Sequence, residues 1–313
     1  MSVTVFIDGA VGTTGIDIRD RLAGRTDLTV VTLDDDRRKD ASARAEALND
    51  ADIAILCLPD EAAREAVALV RGGIRGGTTR IIDASSAHRV ADGWTYGFPE
   101  LAPGQGERIA MSRFVSNPGC YPTAFLALMA PLVRAGLVPT DWPLTYNATS
   151  GYSGGGKSMI AEFEQGGTDT AFRIYALGLS HKHLPEMRDH AGLTHPPIFA
   201  PAVARLNRGM LGEIPLPLKQ LPGAPSLAQI EDTLAAAYRD STLVSVASGD
   251  PAAVEIEENA GTDRMTLRVC GNADSGHVRL IATLDNLGKG AGGAAVQNLN
   301  IMAGLDPLAG LIL

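Results

Sequence analysis

Residues 3–25 read VTVFIDGAVGTTGIDIRDRLAGR. A short apolar run leads into Gly9, Gly12 and Gly15, spaced G-x-x-G-x-x-G, and then into an amphipathic segment. Strand, glycine turn and helix are the parts of a dinucleotide-binding crossover. Glycine lets the backbone turn tightly and approach a pyrophosphate, and the first helical turn offers unpaired N–H groups to its charge. Gly9, Gly12, Thr13, Thr14 and Gly15 are therefore the expected cofactor contacts. The spacing departs from G-x-G-x-x-G, so the turn alone also fits a tight bend with no ligand.

The stretches that follow decide for the nucleotide fold. LTVVTLDDD (28–36), DIAILCLPD (52–60) and TRIIDASS (79–86) are β-type runs, and SARAEALND (42–50) and EAAREAVALVRGG (61–73) are helical in pattern. Such alternation implies a parallel, doubly wound sheet. The second strand ends in Asp34, Asp35 and Asp36, followed by Arg37 and Arg38. An acidic residue at this distance takes the ribose hydroxyls of NAD, whereas a neighbouring Arg takes the 2′-phosphate of NADP. The residues point both ways, and a solvated charge run is the plain alternative.

The chain has 313 residues, enough for two domains, and a net charge of -9 with a pI near 5.2. That balance argues against a nucleic-acid or membrane-surface partner, which needs clustered Lys and Arg. The opening residues carry no basic segment before a long apolar one, and no window approaches a membrane span, so a cytoplasmic location is expected. Three cysteines are too few and odd in number for a disulfide framework. Cys57 and Cys270 lie in apolar, strand-like runs and read as small core residues.

Cys120 differs. It stands in SNPGCYPTA, where Pro and Gly force a turn, and a helix starts just behind it. A thiol at a helix N-terminus has its thiolate stabilised by the dipole and becomes a nucleophile. Some 60 residues on, LGLSHKHLPEM carries His181, His183 and Glu186. Cysteine, histidine and a nicotinamide fold together describe oxidoreduction through a thioester. An H-x-H pair without a third ligand at characteristic spacing is weak support for a metal, and none is expected. Glu186 either orients an imidazole or binds substrate, or it is a helix-start acid.

At these residues the chain resembles the N-acetyl-γ-glutamyl-phosphate reductases in their shorter form. The resemblance covers essentially the whole chain and is most specific at NPGCYPTA (117–124). GAVGTTG, DASSAHR (83–89), YGFPEL (96–101), HKHLPE (181–186) and DNLGKGAGGAAVQNLNIMAGL (285–305) follow in order. Thr13 stands where the family carries an aromatic residue. A wider kinship is with aspartate-semialdehyde and glyceraldehyde-3-phosphate dehydrogenases. The resemblance implies an NADP-dependent enzyme of arginine biosynthesis. It interconverts N-acetyl-γ-glutamyl phosphate and NADPH with N-acetylglutamate 5-semialdehyde, phosphate and NADP+, and Cys120 is its nucleophile. It favours His181 as acid/base, a choice that residue chemistry alone leaves open against His183. It also sets DNLGKGAGG, with Asn286, Lys289 and Gly290, against the nicotinamide.

GYSGGGKS (151–158) satisfies the phosphate-loop pattern G-x-x-x-x-G-K-[ST], between an extended LTYNATS and a helical SMIAEFEQ, and Asp285 in RLIATLDN imitates a Walker B aspartate. A P-loop NTPase is thus one alternative, and an NADP-binding redox sensor with a second thiol near Cys120 is another. Aspartyl or aminoadipyl phosphate would use the same chemistry as the acetylated substrate. In the reductase reading, Ser150, Gly151 and Lys157 hold the acyl substrate or departing phosphate, with Arg89 and Arg113 as further anion partners. The expected architecture is an α/β Rossmann-type NADP-binding domain, residues 1–117 plus 286–313, with an inserted α+β catalytic domain, 118–285. The intervening strands suggest a largely antiparallel sheet and a homo-oligomer, dimer or tetramer.

Overall fold

The computed structural model describes residues 2–71, 78–249 and 251–313. The last two residues of the helical stretch 61–73 lie outside the described residues. The chain divides into two compact units, Met1–Pro99 with Gly104–Gly119 and Ala291–Leu311, and Glu100–Pro103 with Cys120–Gly290 and Ile312–Leu313.

The first unit runs β1 (Val3–Asp8), α1 (Thr13–Leu22), β2 (Leu28–Val31), α2 (Ala41–Asp50), β3 (Ile53–Leu56), α3 (Asp60–Arg71), β4 (Arg80–Asp83), β5 (Thr95–Tyr96), α4 (Gln105–Met111) and β6 (Phe114–Ser116). The strands form one sheet in the order β2-β1-β3-β4-β6-β5, and every pairing is parallel. Side chains alternate between the two faces of a strand, which is why the runs are apolar throughout. Val5, Ile7, Ile53, Ile55 and Ile82 pack with Ile18, Leu22 and Ile109 in one core. Phe6, Ala54, Leu56 and Ile81 pack with Leu48, Ala63, Val67 and Val70 in another. The α2 helix starts on Asp40, whose carboxylate accepts the Ala43 N–H at 2.7 Å, a standard N-cap.

The second unit runs α5 (Cys120–Arg134), β7 (Thr145–Gly151), α6 (Gly156–Glu164), β8 (Phe172–Ile174), α7 (Leu184–Ala191), β9 (Ile198–Ala204), β10 (Met210–Pro217), α8 (Leu227–Tyr238), β11 (Val244–Val246), β12 (Met265–Asn272) and β13 (His277–Leu284). Its sheet has the order β11-β12-β13-β10-β7-β9-β8. The β11–β12 and β7–β9 pairs are parallel and the other four antiparallel, so the expected character is right. Helix α5 is buried at every position from Tyr121 to Leu132, and it packs on β10, β12, β13, α7 and α8. A helix apolar on all sides is a core element, and this one carries Cys120 at its first turn.

Helix α9 (Gly293–Ala303) returns to the first unit, where Ala295, Val296, Leu299 and Met302 join the core of β1 and α1. The units part at Gly119 and at Gly290, near but not at the expected 117 and 285. Residues 286–290 stay with the second unit because the buried Asp285 carboxylate gathers the N–H groups of Leu287, Gly288 and Gly261. Residues 312–313 join it because Asp263 N–H donates to the Ile312 carbonyl, and Ile312 N–H to the Asp263 carboxylate, both at 2.7 Å.

Candidate active site

The glycine turn has the form that phosphate binding needs. Gly9 takes φ +85°, and a Cβ there would overlap the Cys57 carbonyl, so only glycine fits. Its carbonyl accepts the Gly12 N–H at 2.9 Å, and α1 begins with no side chain capping its N-terminus. Thr13 Oγ1 is buried and has no hydrogen-bond partner. An uncapped first turn beside an unused buried hydroxyl fits an anion, and the turn therefore suits the pyrophosphate of a dinucleotide.

Beside the turn lies a cavity of about 260 Å³ lined by Asp8, Gly9, Leu33, Leu58 and three cations, Arg38, Lys39 and Arg44. Arg44 places Nε and Nη2 at 3.1 and 2.8 Å from Asp8 Oδ2. Asp34 does not line the cavity; its carboxylate accepts the Arg37 N–H at 2.9 Å and closes the turn after β2. Arg37 does not line this cavity and leans on Glu46 at 3.5 Å, whereas Arg38 lines it and pairs with Asp35 at 2.7 Å. The charge run was readable as a pair of arginines. Lys39 and Arg44 carried no signal beyond their proximity to it.

Within the second unit, Cys120 is half-buried at the start of α5, among three tyrosines. Tyr146 donates to the Tyr121 carbonyl at 3.0 Å, Tyr121 to the Ala202 carbonyl at 3.0 Å, and Tyr175 to the Tyr121 hydroxyl at 3.2 Å. Burial, and then the charge of Cys120, push the Tyr146 phenol well up, and Tyr175, mostly by burial, is pushed up to about 12. All three therefore act as neutral hydrogen-bonding groups at physiological pH. None of them was foreseen from the sequence, where an isolated tyrosine carries no pattern.

His181 sits in this aromatic setting, with ring centroids 6.2 Å from Tyr121, 6.1 Å from Tyr175, 5.2 Å from Phe199 and 4.7 Å from His183. Its Nδ1 accepts the His183 N–H at 3.2 Å, which leaves the proton of the neutral ring on Nε2, the form that donates outward. His183 is 7% exposed and caps α7 through its backbone, its carbonyl accepting the Met187 N–H at 3.1 Å. Glu186 is buried in the first turn of α7, so it is not a solvated helix-start acid. The segment between Tyr175 and His181 holds two non-glycine residues at φ 52°, Ala176 and Leu179. Backbone strain of this kind collects at functional sites.

Other expected contacts have partners within the protein. Arg113 stands at the amino end of β6, on the edge of the parallel sheet away from the Gly9 turn. There Nε donates to the Thr79 carbonyl and the guanidinium lies over Phe114. Arg89 is buried, donating to the Asn117 carbonyl at 3.0 Å and the Ala84 carbonyl at 3.2 Å, so it braces the chain that leads into NPGC. Asn286 and Lys289 are each 1% exposed. Asn286 bonds Ser153 Oγ and the Gly209 N–H, and Lys289 bonds the Glu100 carboxylate. Gly290 abuts Cys120.

The phosphate-loop match does fold as strand, turn and helix, yet its first three amides are engaged. Gly151 N–H donates to the Gly209 carbonyl, Tyr152 to Leu206 and Ser153 to Asn207, and Ser150 Oγ bonds the neighbouring Gly151 carbonyl. Ser150 and Gly151 are buried there, whereas Lys157 is exposed. Asp285 is fully buried, with its oxygens on three backbone N–H groups and Arg208 at 3.5 Å, so it cannot serve a metal-bound nucleotide. All three cysteines are free thiols, and no cluster of three His, Cys, Asp or Glu suited to a metal occurs among the described residues.

Comparison with known proteins agrees with this geometry. Residues 4–109 match the semialdehyde dehydrogenase NAD-binding domain, and residues 120–286 the semialdehyde dehydrogenase dimerisation domain. An N-acetyl-gamma-glutamyl-phosphate reductase of Trichormus variabilis is 50% identical over 98% of both chains. One of Brucella ovis is 50% identical over 97% of this chain and 100% of that one. Among solved structures, the aspartate semialdehyde dehydrogenase of Francisella tularensis covers 96% of this chain and 100% of its own with a TM-score of 0.72 at 14% identity, and that of Candida albicans with NADP covers 97% and 99% with 0.66 at 12%. At such identities these two show the fold alone. By its two matched domains and by identity over nearly its full length, the chain belongs to the N-acetyl-γ-glutamyl-phosphate reductase family of semialdehyde dehydrogenases, a family of oxidoreductases.

Proposed function

We propose that this protein reduces N-acetyl-γ-glutamyl phosphate to N-acetylglutamate 5-semialdehyde and phosphate, with NADPH, in the arginine pathway of the cytoplasm. The observation that carries the reading is Cys120 as the first residue of a buried helix, in a chain 50% identical over nearly its full length to relatives of that name. The helix N-terminus favours the thiolate. That thiolate attacks the acyl carbon, the C–O bond to phosphate breaks, and the acyl group is left on Cys120 as a thioester. Bound NADPH supplies the hydride that reduces the thioester. Cys120 then leaves as thiolate when the C–S bond of the thiohemiacetal breaks, and the aldehyde is released. His181 is the acid/base: as the neutral ring, whose tautomer His183 fixes through its N–H, it donates a hydrogen bond from Nε2 to the acyl oxygen as charge develops there, and as imidazolium it gives one proton to the departing phosphate and returns to the neutral form.

NADP is preferred over NAD in this reading because Arg38, Lys39 and Arg44 converge on one cavity beside the glycine turn. Lys157, exposed at the start of α6, is the remaining candidate for the substrate phosphate in the glycine-rich loop. A homo-oligomer is supported by the dimerisation-domain match and by an open hollow of about 830 Å³ on the second sheet, lined by Leu211, Pro215, Pro217, Val254 and Ile281. No described helix is long and apolar enough to cross a membrane.

The test follows NADP+ reduction with N-acetylglutamate semialdehyde plus phosphate, beside aspartate semialdehyde plus phosphate and beside ATP hydrolysis. Turnover with the acetylated substrate, and at least about tenfold less with aspartate semialdehyde, is the expected result. A preference for aspartate semialdehyde overturns the substrate, and the absence of any phosphate-dependent reduction overturns the reaction.

A further inference from the structure

Residues 285–290 form a wall in the same unit as Cys120, and three independent devices hold it. The Asp285 carboxylate takes the N–H groups of Leu287 at 2.7 Å and Gly288 at 2.9 Å on one oxygen and that of Gly261 at 2.6 Å on the other. From Gly288 the backbone widens into a π-helical turn, a form that is rare and concentrated at functional sites. Lys289, 1% exposed, sets Nζ at 2.9 and 2.8 Å from the two oxygens of Glu100, whose side chain is 11% exposed. Apolar residues of similar volume often replace a buried ion pair without loss of stability, so stability alone is a weak reason for this one.

Gly290 gives the pair a purpose. A Cβ at Gly290 would stand 2.8 Å from Cys120 Cβ and 3.3 Å from its Cα. Those atoms are the rigid stem of the nucleophile and cannot swing aside as the tip of a long side chain would. The wall therefore bears directly on the thiol's root. Gly290 is held there by its own N–H, which donates to the Asp285 carbonyl at 3.0 Å, and by the residue just before it, Lys289, which is anchored on Glu100.

We propose that Lys289 is a positioning residue for the thioester chemistry. Paired with Glu100, it fixes the turn that seats Gly290 against Cys120 and so holds the thiol where it attacks the acyl carbon. This rests on Cys120 being the nucleophile of the proposed function.

The test uses the full-length variants G290A and K289M/E100M, read by thermal melting, by kcat and KM, and by the iodoacetamide alkylation rate of Cys120 followed by peptide mass spectrometry. For G290A, kcat falls by about 100-fold with KM within about threefold, as expected for a displaced reacting atom. Its alkylation at pH 7 slows by about fivefold or more, because a displaced thiol loses the helix N–H groups. The double variant melts within about 5 °C of wild type, since no lone charge is left buried, yet shows both losses. A folded G290A with wild-type kcat and alkylation overturns the proposal. So does a double variant that recovers both along with its melting temperature, because the pair then serves only the fold. Should G290A fail to fold, the double variant decides, and a double variant that also fails to fold overturns the proposal on the same ground. Alkylation needs no substrate. A wild type without phosphate-dependent turnover therefore sinks the proposed function while the alkylation comparison still reports on the wall.

Discussion

Removing Arg38 tests the cofactor assignment at one side chain. Arg38 pairs with Asp35 at 2.7 Å, and the two side chains are 39% and 83% exposed. An exposed pair of this kind is worth about 0–1 kcal/mol, so Arg38→Ala costs the fold little. A charge-assisted contact to a 2′-phosphate is worth about 1.5–3 kcal/mol, from which the lost Asp35 pair is subtracted. The net is about 0.5–3 kcal/mol, which raises the Kd for NADP by roughly 2- to 140-fold. Lys39→Ala has an effect of the same order. Arg37→Ala changes the Kd by less than about twofold, since Arg37 does not line the cavity. Arg44 is left in place because Asp8, only 5% exposed, would lose its partner. Calorimetric titration of each protein with NADP and NAD at one salt concentration gives the comparison. NAD affinity that falls in step with NADP, or an Arg37→Ala loss as large as that of Arg38→Ala, refutes the reasoning.

Cys120→Ser abolishes phosphate-dependent NADP+ reduction while cofactor affinity stays near wild type, because the alcohol is a far weaker nucleophile. Residual activity above a few per cent contradicts the thioester. Burial, aided by the Asp83 and Asp8 carboxylates, pushes the Cys57 thiol up to about 12. At pH 8 only about one Cys57 in ten thousand is then thiolate, and iodoacetamide modifies Cys120 well before it. Of His181→Asn and His183→Asn, the first removes the limb of the pH–rate profile set by its ionisation, and the second lowers kcat with the limb retained. Equal modest losses from both reject the acid/base assignment. Purified protein hydrolyses no ATP, and Lys157→Ala raises KM for the acyl phosphate by about 10-fold with a smaller change in kcat; an unchanged KM removes Lys157 from the site.

The parallel sheet was legible because strands buried on both faces read as continuous apolar runs between glycine turns, and the helix start at Cys120 because Pro and Gly precede a long apolar run. What escaped was set by tertiary contacts. Lys39 and Arg44 become cavity residues only when the turn after β2 closes on Asp34, and the three tyrosines meet only when β7, β8 and α5 pack in one unit. Arg113 was chosen for its charge, yet a residue at the amino end of a parallel strand faces the edge away from the ligand-binding carboxyl ends. Lys289 was chosen for its place in a glycine-rich segment. Its burial against Glu100, nearly 190 positions away, is invisible to any local pattern.

GYSGGGKS shows why a phosphate-loop pattern is decided by hydrogen bonds and not by letters. A phosphate cradle needs several consecutive N–H groups turned toward one point, which requires that no other backbone accept them. Here β7 ends beside the loop at Leu206–Gly209, and the carbonyls of Leu206, Asn207 and Gly209 take the N–H groups of Tyr152, Ser153 and Gly151 in turn. The glycine at 151 is required for that approach, since a Cβ would lie 2.5 Å from the Asn207 carbonyl. The same glycine content that makes a nucleotide cradle elsewhere thus serves close packing between two loops, and it is sealed by Asn286, which bonds both Ser153 Oγ and the Gly209 N–H. Residues 151–153, locked on both sides, cannot turn toward a triphosphate without breaking several hydrogen bonds, each costing about 1–3 kcal/mol if left unmade. Its exposed lysine, carried on the helix that follows, keeps its charge available to a smaller anion.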